Sequence, residues 1–337
     1  MMMKLNTKTI IYVVCPPNFK TGGTELAHQL VWMLNSNKRE SYICYSTENR
    51  NVEICEEFKK YCTDFKVLNE VEDSENNLII FPEILTPIVR RYNYIKKAIW
   101  WMSVNNYTKN TYIQSAFREY GFKGTIKFVI KKFLKIGPQN LSIKELKNID
   151  LHFVQSTYAK DFLQNYKIES EYLTDYINEC YYDICIDSLK KENFVVYNPK
   201  KGFAITQKLI EQNPDIQWVP LINMTNEQMK DTLKRAKVYV DFGNFPGKDR
   251  IPREAALSYC CVITGTKGAS GFEKDLPISK EYKFDEPMRK LSEISNLIKD
   301  CFEMYDERIE DFEDYRQIVL HEKEVFEHEV VSLFCNS

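Results

Sequence analysis

The sequence has no charge excess of either sign, no metal-ligand spacing, no long hydrophobic run and no repeat, and each absence removes a class of function. Lys and Arg number 46 against 48 Asp and Glu, a formal charge of −2. That excludes a generally basic nucleic-acid binder and leaves anionic partners to local patches. Ten cysteines lie at positions 15, 44, 55, 62, 180, 185, 260, 261, 301 and 335, none in a C-x-x-C pair or a Cys/His cluster with zinc spacing. Several sit in apolar runs (YICYS, CCVIT), so they read as reduced, buried thiols of a cytoplasmic protein rather than a disulfide framework. The opening stretch MMMKLNTKTIIYVVCPP has an apolar run that stops at two prolines. It is too short to span a bilayer and lacks a small-residue cleavage site, so it reads as a first β-strand. No other segment approaches spanning length, no solenoid period recurs and no low-complexity tract occurs.

What is present is an ordinary globular composition, 44% hydrophobic and 28% charged over 337 residues, enough for about two domains with cores of their own. The aromatic fraction of 13%, with 21 Tyr and 20 Phe, fits either sugar-stacking surfaces or an A+T-rich coding sequence. Short β-rich runs alternate with helical patterns, the signature of a mainly parallel sheet flanked by helices. Strands are expected at Thr9–Val14, Ser41–Ser46, Leu78–Phe81, Ala98–Met102 and Leu151–Gln155, then at Phe194–Tyr197, Gln217–Leu221, Val238–Asp241 and Cys261–Thr264. A helix with Leu26, Leu30, Met33 and Leu34 on one face follows Gly22-Gly23, with Thr24 expected as its N-cap. Thr225–Ala236 is a second, opened by an N-cap Thr with Glu227 close behind. The reading is two βα-repeating halves joined within Asp175–Glu192. It gives domains at 1–180 and 181–300 and a helical C-terminal segment at 301–337.

The chemistry is concentrated at Val238–Gly265. An apolar strand, VYVDF, runs into the loop GNFPGKDR, then a helix, REAALSY, then the buried strand CCVIT. In open parallel sheets ligands bind at the carboxyl ends of strands, where this loop must lie. Glycines such as Gly243 let backbone approach a phosphate, and a following helix aims its N-terminal amides at it. Lys248, Arg250 and Arg253 supply positive charge for a diphosphate. Asp249 and Glu254 suit ribose or sugar hydroxyls, because a carboxylate accepts two hydroxyl hydrogen bonds. A charged loop with internal salt bridges is the plainer alternative.

The same stretch resembles family 4 glycosyltransferases of the GT-B type. Glu254-Ala255-Ala256 matches the second Glu of that family's strand–loop–helix motif, and CVITGTKGAS the strand and loop after it. The resemblance implies two Rossmann-like, doubly wound α/β domains facing each other across a cleft, the second holding a nucleotide diphosphate sugar. It gives Glu254 the ribose hydroxyls. VVYNPKKG is similar to the family's strand end and Lys-Gly, which implies a donor-binding stretch at Asn198 with Lys201 on the diphosphate. CPPNFKTGGTELAHQL is similar to its first loop and helix, which brings Gly22 and Gly23 to the donor phosphate or the acceptor. The family's first Glu falls at Pro246, and its Phe-Gly is replaced by Lys248-Asp249, so Asp249 or Asp241 is the expected substitute at the sugar.

Retaining relatives carry a His at the end of a middle strand, where this chain has AIWWMSVNNY, with Ser103, Asn105, Asn106 and Tyr107 but no His. Candidate catalytic groups are therefore Glu25, His28 and Asn105, with Glu83 of FPEIL as a further base. No D-x-D stands in a suitable strand-end context, so neither a metal nor a cofactor is expected. The implied activity moves a sugar from a nucleotide diphosphate sugar to a saccharide acceptor in bacterial capsule, lipopolysaccharide or other surface-glycan synthesis. A non-catalytic GT-B subunit and a sugar-nucleotide epimerase are the rival readings. Residues 118–136 carry Arg118, Lys123, Lys127, Lys131, Lys132 and Lys135 among Phe128, Ile130, Phe133, Leu134 and Ile136. Such a segment either lies on an anionic membrane, at the inner face, with a lipid-linked acceptor, or packs as an ordinary surface helix.

Overall fold

The computed structural model of the chain describes residues 6, 8–109, 111, 121–127, 129–130, 133–134, 139–186 and 190–335. It divides into two compact units, Met1–Asp175 with Glu324–Ser337, and Tyr176–Lys323. The stretch 301–337, set apart in the sequence reading, is shared between them. Its apolar positions fill a core on either side of residue 323.

The first unit holds a seven-stranded parallel sheet. Its strands are β1 (Ile11–Cys15), β2 (Ser41–Tyr45), β3 (Phe65–Val67), β4 (Leu78–Pro82), β5 (Lys96–Trp101), β6 (Leu151–Val154) and β7 (Glu171–Tyr172), in the order β3-β2-β1-β4-β5-β6-β7. The central strands are buried on both faces, which is why they read as continuous apolar runs rather than alternating ones. Helix α1 (Gly22–Ser36) follows β1, α2 (Val104–Lys109) follows β5, and α3 (Ile143–Leu146) and α4 (Thr157–Gln164) flank β6. The N-cap of α1 is Thr21, not Thr24. Thr21 Oγ1 accepts the Thr24 amide and Thr24 Oγ1 accepts the Thr21 amide, a reciprocal pair that satisfies two donors at the helix start.

Trp100 and Trp101 are fully buried in this unit, and each indole N–H has an acceptor. Trp100 donates to the Leu173 carbonyl (2.8 Å) and Trp101 to His152 Nδ1 (3.0 Å). His152 Nε2 is 2.9 Å from the Leu146 carbonyl, so it carries the proton. Burial pushes the imidazole down to about 4, and it serves as a neutral packing group.

The second unit holds β8 (Glu192–Tyr197), β9 (Gln217–Pro220), β10 (Ala236–Asp241), β11 (Cys261–Gly265) and β12 (Lys283–Phe284), in the parallel order β12-β11-β10-β8-β9. Helices α5 (Phe203–Gln212), α6 (Asn226–Arg235) and α7 (Arg250–Leu257) connect successive strands. Helices α8 (Leu291–Glu303), α9 (Tyr305–Arg308) and α10 (Glu313–Leu320) follow β12. Helix α11 (Glu322–Val330) carries the chain out of this unit; its later residues pack in the first, where Phe326 stacks on Trp100.

Candidate functional site

Three loops leave the carboxyl ends of β8, β10 and β11, and close backbone contact joins them into one floor. Gly202 has φ +61°, and a Cβ there would stand 2.4 Å from the Phe242 carbonyl carbon. Gly243 meets the same loop from the other side, where a Cβ would lie 2.4 Å from Lys201 Cβ. Glycine is required at both positions because any Cβ would enter space the neighbouring loop fills. The loops after β10 and β11 are zipped in turn, Phe245 donating to the Lys267 carbonyl (3.0 Å) and Ala269 to the Phe245 carbonyl (2.9 Å).

On this floor the structure brings together Asn198, Lys201, Gly243, Lys248, Asp249, Arg250 and Glu254. Asn198 shapes its turn, its Oδ1 accepting the Lys200 amide (3.0 Å). The Gly243 amide donates to Asp241 Oδ1 (2.8 Å), so it is engaged within the protein. Asp241 also accepts from Tyr239 OH (3.0 Å). Burial raises its carboxyl to about 6, against the pull of Gly243, Lys201 and Tyr239. Lys201 forms an ion pair with Asp249 and lies 5.5 Å from the centre of the Phe245 ring. Arg250 and Glu254 occupy successive turns of α7, Arg250 half-buried and Glu254 buried. The negative charge of Glu254 helps hold the hydroxyls of Tyr181 and Tyr239 protonated, although burial is the larger cause for both.

Lys248 and Arg253 do not stand as open cations. Both are paired at 2.7 Å with Glu322, the first residue of α11. Arg253 also donates to the backbone carbonyls of Lys248 (3.1 Å) and Asp249 (3.2 Å). It therefore fixes the loop that presents Asp249 to Lys201. No sequence signal joins Glu322 to this loop. It is 69 residues beyond Arg253, at the start of a separate helix.

The first unit presents its own candidates in α1 and after β4 and β5. Gly22 and Gly23 open α1. His28 is 1% exposed, with Nδ1 2.7 Å from the Thr24 carbonyl and Nε2 3.1 Å from Tyr45 OH. A carbonyl only accepts, so Nδ1 carries the proton and Nε2 accepts from Tyr45. Burial lowers its pKa, and Phe58 covers it with ring centres 4.6 Å apart. His28 is a packed core group with both nitrogens engaged. Glu25, half-buried, accepts from Tyr61 OH (3.0 Å). Asn105 Oδ1 accepts from Tyr158 OH (3.0 Å), which ties it to α4. Glu83 is 2% exposed directly after β4. Burial lifts its carboxyl to about 7 against hydrogen bonds from Met102, Asn106 and Ser103.

Of the basic segment, residues 121–127 are helical. Phe122, Ile126, Val129, Ile130, Phe133 and Leu134 are exposed, Phe133 to 85%. Arg118, Phe128, Lys131, Lys132, Lys135 and Ile136 lie outside the described residues. Among the described residues no helix is long and apolar enough to cross a membrane.

No family model matches the sequence, and no curated protein matches it. Solved structures do match. Sucrose-phosphate synthase from Thermosynechococcus elongatus superposes with a TM-score of 0.63 at 11% identity, covering 97% of this chain and 98% of that one. HepE of Anabaena, solved in complex with UDP and glucose, gives 0.63 at 9% identity over 96% and 98%. TarM of S. aureus, in a complex with UDP, gives 0.55 at 13% over 80% and 57%. At such identities the likeness shows the fold, and the fold is that of GT-B glycosyltransferases, built from two Rossmann-like α/β units.

Proposed function

We propose that this protein transfers a glycosyl group from a nucleoside diphosphate sugar to a saccharide acceptor. The observation that carries the reading is the strand-end floor of the second unit, where Lys201, Asp249, Arg250 and Glu254 stand together at the start of α7. The similar HepE and TarM structures contain UDP, which supports a nucleoside diphosphate as the group this floor receives.

In this reading the donor diphosphate takes Lys201 from Asp249 and lies against Arg250 and the first amides of α7, whose dipole favours negative charge. Glu254 accepts the ribose hydroxyls. Asp249, released from Lys201, accepts hydroxyls of the donor sugar and so takes the part left open by Pro246. The bond between the anomeric carbon and the diphosphate oxygen breaks, and the acceptor oxygen bonds to that carbon and gives up its proton to the departing diphosphate. The nucleoside diphosphate leaves with its charge balanced by Lys201 and Arg250. No metal enters this scheme.

The exposed apolar side chains Phe122, Ile126, Val129, Ile130, Phe133 and Leu134, with Lys123 and Lys127 among them, favour an acceptor held at an anionic membrane, as a lipid-linked saccharide of a surface glycan is. Vesicles containing phosphatidylglycerol are expected to sediment the protein, and F133D to abolish this at unchanged melting temperature.

Trace hydrolysis of labelled UDP-, GDP-, ADP- and dTDP-sugars tests the main reading. One donor is expected to be cleaved, and K201A and E254A each to lower that rate at least tenfold. A folded sample that binds none of them rules the reading out. Activity that appears only with a second protein would assign the chain to the non-catalytic subunit class, which the packing of His28 favours.

A further inference from the structure

Glu83 is a carboxylate placed where water cannot reach it. It is 2% exposed, at the end of β4 in the first unit. A buried carboxylate is tolerated when hydrogen bonds replace its hydration. Besides its own backbone amide, they come from one short piece of chain. Glu83 Oε2 accepts the Met102 amide at 3.1 Å, and the Ser103 amide and Asn106 side chain donate to the same group. Because β4 and β5 are neighbours, with Pro82 opposite Trp100, the carboxylate sits beside the turn that joins β5 to α2.

That turn carries two polar side chains at the sheet edge where parallel α/β folds bind ligands. Asn105 is held by Tyr158. The Ser103 hydroxyl is buried, the residue being 8% exposed, and has no hydrogen-bond partner among the described residues. Buried hydroxyls are normally paired; an arriving saccharide hydroxyl would supply the missing partner.

We propose that Glu83 is a positioning residue. Its carboxylate holds the turn Met102–Asn106 in the shape in which Ser103 and Asn105 meet the saccharide acceptor. The inference rests on the glycosyl-transfer reading and adds the acceptor subsite to it. Glu83 itself does not reach substrate, so the base role open to it in sequence is replaced by a structural hold on the groups that do.

The test uses the full chain with E83A and E83Q. Hydrogen exchange of peptides spanning residues 99–107 reports the turn, calorimetric titration with whichever of UDP, GDP, ADP and dTDP the wild type binds reports the donor floor, and transfer from the cleaved donor to octyl β-glucoside reports the acceptor side. In E83A, exchange over 99–107 is expected to rise at least tenfold. Transfer at saturating donor should fall at least tenfold through the acceptor KM, with affinity for that nucleoside diphosphate within twofold of wild type. E83Q keeps an oxygen for the two amides but opposes Asn106 with a donor. It is expected to lie between, with transfer down threefold or more, and it decides the matter if E83A does not fold. Exchange and transfer within twofold of wild type in a folded variant overturn the proposal. So does a parallel loss of nucleotide affinity, the mark of a general structural role. A wild type that binds none of UDP, GDP, ADP and dTDP instead overturns the glycosyl-transfer reading, while the exchange result still decides the hold on the turn.

Discussion

Gly202 and Gly243 show how two residues without side chains decide whether the second unit has a usable floor. A methyl group at position 202 would meet the Phe242 carbonyl carbon at 2.4 Å, in a backbone conformation (φ +61°) that alanine resists. G202A is expected to cost more than about 1 kcal/mol, read by urea denaturation, and to weaken nucleotide binding by more than the loss of stability accounts for. Glu83 makes a second residue-scale prediction, and its sign follows from linkage. Its native carboxyl titrates near 7 against an ordinary 4.5, so the folded chain holds the extra proton between those values. The contribution favours folding below about pH 4.5 and is lost as pH rises through 7. His152, pushed down to about 4 from 6.5, acts oppositely: its contribution is present above pH 6.5 and is lost as pH falls. His152 is common to wild type and E83Q and cancels in their difference. Relative to E83Q, the wild type should lose on the order of 3 kcal/mol from pH 4.5 to pH 8. Denaturant melts at both pH values check this; a flat difference would contradict it.

At the scale of elements, loop and helix are locked by a buried charge cluster. Glu322 meets Arg253 and Lys248 with little solvent around any of the three side chains, 6%, 1% and 12% exposed respectively. Removing one partner from such a cluster leaves uncompensated charge, so E322A is expected to cost on the order of 3–5 kcal/mol. The triple change K248M/R253M/E322L should restore most of that in chemical denaturation. It should not restore nucleotide binding, because Arg253 also fixes the Lys248 and Asp249 carbonyls. The strands that surround this cluster were legible in sequence because they are long and apolar. Strands β3, β7 and β12 were not; at three, two and two residues they are too short to show a period. The α1 cap was displaced by three residues because Thr21 and Thr24 both suit the position, and only the reciprocal bonding chooses Thr21.

Over the whole molecule, the loop after β10 could be located from sequence because glycine, proline and charge follow directly on an apolar strand. The residues that meet there were legible one by one. Their pairings were not, since Lys201–Asp249 and Arg253–Glu322 join positions 48 and 69 residues apart. Local pattern marks where a site lies, while charge balance within it depends on contacts that only the fold creates. The same limit applies to His28, whose helical spacing gives no hint that Tyr45 and Phe58 enclose it.

The central claim is that the second unit binds a nucleoside diphosphate through Lys201 and Glu254. Calorimetric titration of the full chain with UDP, GDP, ADP and dTDP tests it directly. One of the four is expected to bind, with the matching monophosphate weaker. K201A and E254Q should each lower affinity at least tenfold, about 1.4 kcal/mol, at unchanged fold by circular dichroism. A folded wild type that binds none of the four, or an E254Q variant that binds as well as wild type, would contradict the account.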